Sequence, residues 1–200
     1  MFKELPYTSS IKDMPFMFYE MRRTAILLCE KRTAEDIVEM SLQKNIYQLE
    51  KEKRRRDVPL RMLKRLSTIS MPLIKVVADG NEEDAKFIAF LSLMKADRLL
   101  FEYMREVYAD RYHHSQGELA DKDFINFIER KAQNNDSVAK WTSTNLVRIK
   151  NTYKNVLCEA GLAKRNGNTL LILKPICEPQ LRVLLGEANS IYAKAMLLEE

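Results

Sequence analysis

The residues best equipped to do chemistry lie in one run, TSTNLVRIKNTYKNVLCEAG, which starts at Thr142 and ends at Gly161. Wound as a helix, it gathers Leu146, Ile149, Tyr153, Val156, Leu157 and Ala160 into a buried stripe. The opposite face then presents Ser143, Thr144, Asn145, Arg148, Lys150, Asn151, Lys154 and Asn155, with no acid before Glu159. Hydroxyls, amides and a guanidinium in that arrangement can hold phosphate oxygens and meet base edges in a groove. Gly161 suits the left-handed position after a helix, with Leu162 folding back onto it. The following LAKRNGNTLLIL contains Asn166-Gly167, the pair that a type I′ turn needs because both central residues take positive φ. A hairpin over 162–173 then carries Lys164, Arg165 and Asn166 at its tip, two cations where a phosphate would lie. The candidate contacts are Thr144, Asn145, Arg148 and Asn151 for bases or phosphates, and Lys154, Lys164 and Arg165 for phosphates. The plainer alternative is that the lysines are solubilising surface residues.

A second basic stretch, KEKRRRDVPLRMLKR at 51–65, offers Arg54, Arg55, Arg56 and Arg61 as further phosphate contacts. Three consecutive arginines diverge on a helix, but on a loop all three reach one backbone. A solvated connector is the competing reading. This stretch and residues 137–174 each carry a net charge of +6, against +5 for the whole chain. The remainder is therefore acidic, which points to localised polyanion binding.

Catalytic patterns are missing from the sequence. It has no glycine-rich phosphate loop, GxSxG elbow or HExxH. His113 and His114 read as exposed loop residues, and the three cysteines are too scattered for a zinc site or disulfide framework. No enzyme activity, cofactor or metal is expected. The N-terminus lacks the form of a signal peptide, and no apolar run approaches the ~20 residues that span a bilayer. A cytoplasmic protein without membrane contact is the expectation.

The elements that must position these residues are mostly helical, since only 5 glycines and 6 prolines interrupt 200 residues. Residues 1–14 read as an extended arm. A first helix follows Pro15, and Thr33 with Asp36 marks the capped start of a second, reaching Lys44. Two helices on a short turn resemble a helix-turn-helix pair. Pro59 fits the first turn of a third helix, and a fourth spans Pro72 to Ala78. Asn81 caps a run that is helical from 82 to 110 and apolar enough to be a buried central helix, whole or as two abutting ones. A polar loop from His113 to Gly117 leads to helices over 121–133, 137–141 and 142–160, then the hairpin. Trp141 reads as a turn-packing residue, and Pro179 to Glu199 as one or two helices. The expected architecture is mainly α. It has a helix-turn-helix-like domain over 1–80, long bridging helices over 81–117, and a C-terminal winged helix over 118–200 with its third helix suited to the major groove.

Three segments, YEMRRTAILL, AFLSLMKADRLLFEYMREVYADRY and DFINFIERKAQNNDSVAKWTSTNLVRIKNTYKNVLCEAGL, together resemble the BrxA family of BREX phage-defence systems. The most distinctive blocks run from Arg98 to Val107 and from Trp141 to Gly161. The resemblance implies a small accessory component of a multi-gene antiphage system, without known enzymatic residues. It also implies association with duplex DNA through helix-turn-helix-like elements at both ends, beside other BREX proteins. This sequence departs from the expected small residue or glycine after the first helix, carrying Lys31-Arg32 there. The competing function is a protein-docking adaptor whose basic residues meet an acidic partner. RNA binding ranks lower, for want of an RRM-type aromatic signature.

Overall fold

A computed structural model describes residues 5–114 and 117–199. The chain is mainly helical, with a small three-stranded antiparallel sheet towards its C-terminus among the described residues. It forms two compact units. One is Phe16–Ala96; the other joins the described residues before Phe16 to those from Asp97 onward.

The Phe16–Ala96 unit holds α1 (Phe18–Cys29), α2 (Ala34–Lys44), α3 (Glu52–Leu66), α4 (Met71–Asp79) and α5 (Glu82–Ala96). Its core is α5, where every residue from Phe87 to Met94 is buried, against α1, α3 and α4. A helix apolar all round has to be covered all round. The expected start of α2 is present as a reciprocal cap: Asp36 N donates to Thr33 Oγ1 at 3.1 Å and Thr33 N to Asp36 Oδ2 at 2.9 Å. Asn81 likewise accepts from Asp84 N at 2.9 Å.

Lys31 takes the left-handed conformation (φ 62°) that glycine would adopt more freely. The turn after α1 closes nonetheless, Arg32 N bonding Leu27 O and Lys31 N bonding Leu28 O, both at 3.0 Å. Arg22 reaches from α1 to the end of α4, donating to Ala78 O at 3.2 Å and Gly80 O at 2.9 Å.

One expectation needs correction here. Pro59 lies inside α3 rather than in a first turn. Proline supplies no N–H for the carbonyl four residues back, which is Arg55 O. The buried Ser41 hydroxyl of α2 donates to that oxygen at 2.6 Å, so the ladder's missing donor comes from a neighbouring helix. Ser41→Ala is expected to cost about 1–3 kcal/mol by leaving the carbonyl unsatisfied. In a Pro59→Ala background the loss should shrink, because the backbone N–H restored by that substitution can serve Arg55 O. Urea unfolding of the four proteins measures this coupling, and equal losses in both backgrounds would contradict it.

The run 82–110 takes the second of its expected forms, abutting helices. Asp97 leaves helical geometry (φ −131°, ψ 101°) and caps the next segment, accepting from Leu100 N at 3.0 Å.

The second unit continues with α6 (Arg98–Tyr103), a π-helical turn (Met104–Tyr108), α7 (Ala109–His114), β1 (Glu118–Leu119), α8 (Asp121–Gln133), α9 (Asp136–Ala139), α10 (Ser143–Glu159), β2 (Ala163–Asn166), β3 (Thr169–Ile172) and α11 (Pro179–Ala195). The strand order is β1-β3-β2, with Lys164 opposite Leu171 and Glu118 opposite Leu171 from the other side. His113 and His114 end α7 instead of lying in a loop, and His114 Nδ1 sits 3.3 Å from Asp110 Oδ1. Ser115 and Gln116 of the expected loop are outside the described residues. Gly186, at φ 59° and ψ 174°, divides α11 into two helical pieces.

The core of this unit is aromatic. The Tyr103 ring lies 5.4 Å from Phe127 and 5.1 Å from Tyr153, and Phe124 lies 5.6 Å from Tyr153. Rings from α6, α8 and α10 thereby fix the three helices to one another. The N-terminal segment is part of the same unit. Its 3-10 turn, Ser10–Lys12, packs on α10 with Ile11 buried, and Tyr7 reaches α6.

Candidate nucleic-acid interface

The buried side of α10 is the expected one: Ile149, Tyr153, Val156, Leu157 and Ala160 are buried, while Leu146 is half-covered. Opposite them, Thr144, Arg148, Asn151 and Asn155 are exposed and recur at steps of four, three and four along the helix. That spacing puts all four on one line. Ser143 and Val147 flank it, also exposed. Thr142 caps the helix, accepting from Asn145 N at 3.3 Å, and the Asn145 side chain is half-buried beside it. Amide, hydroxyl and guanidinium groups thus face outward near a helix N-terminus, where the dipole favours anions.

The hairpin is set against this helix by specific bonds. Gly161 is left-handed (φ 75°), and Leu162 N bonds Leu157 O at 2.9 Å, so the chain reverses directly into β2. No atom lies within 4 Å of where a Gly161 Cβ would stand, so its freedom of φ is what the turn uses. At the hairpin base, the buried Tyr108 hydroxyl lies 2.8 Å from Leu162 O and 3.1 Å from Leu173 O. Near the tip, Arg165 donates to Asn155 Oδ1 at 2.7 Å, joining β2 to the exposed line of α10. Lys164 is exposed, and Asn166 donates to Glu118 Oε1 at 2.9 Å.

Three cations of the α10 face form ion pairs within the chain. Lys150 and Lys154 both form ion pairs with Asp121 at the start of α8, and Lys154 also donates to Asn168 O at 3.3 Å. Those hydrogen bonds hold the Asp121 carboxyl below its ordinary pKa. Lys150 and Lys154 therefore brace α8 and the hairpin, off the exposed line. Arg148 lies on that line and pairs with Asp13, 135 positions away, at 3.0 Å.

The second basic stretch is a helix and not a loop. Because 52–66 is helical, Arg54, Arg55 and Arg56 point in three directions, and the loop arrangement does not occur. Arg56 is exposed; Arg54, Arg55 and Arg61 are half-buried. Arg55 Nε is engaged with Leu49 O at 2.8 Å. Arg65 is buried and donates to Phe16 O at 3.0 Å.

The BrxA family model matches residues 5–189. The chain belongs to the BrxA family. It is 34% identical over 176 residues to the BREX protein BrxA of Bacillus cereus (strain H3081.97), an alignment covering 88% of each. Its fold is similar to that of an uncharacterized protein from Magnetospirillum magneticum solved by crystallography. There the TM-score is 0.81 at 20% identity, over 96% of this chain and 99% of that one.

The range matched by the BrxA model includes α10, the hairpin and the Lys31 turn. Two neighbours of the α10 face carry no sequence signal. Asp13 and Asp121 are ordinary acids in the sequence, and only the fold brings them to Arg148 and to the lysine pair. No helix of the described residues is long and apolar enough to cross a membrane.

Proposed function

We propose that this BrxA-family protein binds duplex DNA without catalysis, as an accessory component of a BREX-type phage-defence system. In this reading α8, α9, α10 and the β2–β3 hairpin act as a winged helix, with α10 in the major groove and the hairpin on the adjacent backbone. The observation that carries it is the outward line of Thr144, Arg148, Asn151 and Asn155, which contains no acid of α10 itself and to which Arg165 of the hairpin is bonded. Support for a binding role, as opposed to a catalytic one, comes from the make-up of that line. Amides, hydroxyls and guanidinium exchange hydrogen bonds with phosphates and bases, and none of them trades protons near neutral pH. Arg148, Lys164 and Arg165 take the phosphates. Lys154 serves the fold, and Arg56 is the one exposed residue of the triplet at 54–56.

Electrophoretic titration of the purified protein with duplex DNA, single strands and RNA tests the reading. Duplex is expected to bind tightest, with affinity falling steeply as salt rises. A second reading is docking on another protein of the defence system. It is favoured by Ile176, Val183, Leu184 and Ile191, apolar side chains exposed in and around α11. No retention of any nucleic acid at ~150 mM salt, with capture of a co-expressed neighbouring protein, is the outcome that selects it.

A further inference from the structure

The contact between Arg148 and Asp13 has the make-up of an occupied anion site. Asp13 directly follows the 3-10 turn that packs on α10, and buried Ile11 anchors that turn (2% exposed). Both oxygens of the carboxylate are engaged: Oδ1 by Arg148 at 3.0 Å and Oδ2 by Lys12 at 2.6 Å. The hydrogen bond from Lys12, then the charges of Lys12 and Arg148, hold Asp13 below its ordinary pKa and thus charged at neutral pH. A carboxylate between two cations is what a DNA phosphate would replace. The pair is not shielded either, since the side chains of Arg148 and Asp13 remain 53% and 54% exposed.

We infer that Asp13 is an internal competitor for the phosphate that Arg148 takes. The inference rests on the DNA-binding reading of α10. The N-terminal segment supplies a built-in anion, and DNA has to displace it from the guanidinium before Arg148 can bind the backbone. The segment therefore sets the affinity of the groove-facing helix from outside it.

The test compares duplex affinity, by fluorescence anisotropy at one salt concentration, for the wild type, Asp13→Asn, Glu129→Gln, Arg148→Ala and Asp13→Asn/Arg148→Ala. Glu129 is exposed on α8 and gives the same change in net charge. Asp13→Asn is expected to bind about five-fold tighter than wild type, the scale of an exposed ion pair released. Glu129→Gln should stay within about two-fold. In the Arg148→Ala background the Asp13→Asn gain should vanish. If Asp13→Asn binds no tighter than Glu129→Gln, or gains equally without Arg148, the competitor role is overturned while DNA binding stands. If no protein in the set binds duplex, the DNA reading falls and the competitor role with it.

Discussion

Glu102→Ala is expected to destabilise the unit that contains α10 by about 3–5 kcal/mol, the scale for removing one partner of a buried ionic cluster. The Glu102 carboxylate is nearly covered and accepts from three directions: Arg98 Nε at 2.8 Å, Lys131 Nζ at 2.6 Å and Tyr7 OH at 2.8 Å. It holds the N-terminal segment, α6 and α8 together, and Lys131 continues to Glu106 at 2.8 Å. Deleting it removes the carboxylate that Arg98 and Lys131 share in a poorly hydrated place. Trp141 is the only tryptophan and belongs to this unit, so its fluorescence during urea unfolding reports the loss directly.

The same cluster sets an acid limit. Burial pushes the Glu102 carboxyl up, but the hydrogen bonds from Lys131, Arg98 and Tyr7 outweigh it and leave the pKa below its ordinary value. The folded pKa thus lies under the unfolded one, about 4.3. The stability it contributes is complete above the unfolded value and is lost as pH falls through the folded one. Glu102→Gln should therefore show a flatter decline in unfolding free energy below about pH 4.3 than the wild type. An unchanged slope would remove the carboxylate from the account.

The largest functional effect is expected from Arg148→Ala/Lys164→Ala/Arg165→Ala. Losing three phosphate-facing cations should weaken duplex binding by about 100-fold or more and reduce the steepness of its salt dependence by roughly three units. Folding should be little changed. The Arg148–Asp13 pair is exposed and each such pair contributes at most about 1 kcal/mol. The Arg165–Asn155 bond is also at the surface. Loss of binding with an unaltered Trp141 melt separates a contact role from a structural one. Undiminished binding would remove the C-terminal site.

What was legible in the sequence is what local chemistry determines. The period of α10 separated its buried stripe from its exposed line, and Gly161 marked the helix end because that position takes positive φ. The hairpin lies where it was expected, but Asn166 pairs with Thr169 as the end of β2, so the central residues are Gly167 and Asn168, with positive φ at Gly167 alone, and the turn is not the expected type I′. Thr33 with Asp36 signalled a helix start for an equally local reason. The misplacements involve partners distant in sequence. Pro59 is tolerated mid-helix through Ser41 on another helix, and no rule about flanking residues contains that hydroxyl. β1 is two residues long and exists because β3 offers it an edge, so it has no pattern of its own.

The candidate site divides along the same boundary. Periodicity gave the line of Thr144, Arg148 and Asn151, but it counted Lys150 and Lys154 on the open face as well. Helical geometry puts those lysines on the flank, and Asp121 holds them there. The basic run at 51–65 looked like one feature because its charges are adjacent in sequence. On a helix the consecutive Arg54, Arg55 and Arg56 diverge, and Arg65 points into the protein. Net charge counts residues, whereas a binding surface needs them on the same side.

If the exposed line of α10 and the hairpin tip meet a phosphate backbone, binding must release counterions from the DNA. Duplex affinity measured across a series of salt concentrations addresses this most directly. A contact with about six phosphates predicts a log–log slope near −5 for the wild-type protein. A slope near zero, or no duplex binding even at low salt, would contradict it.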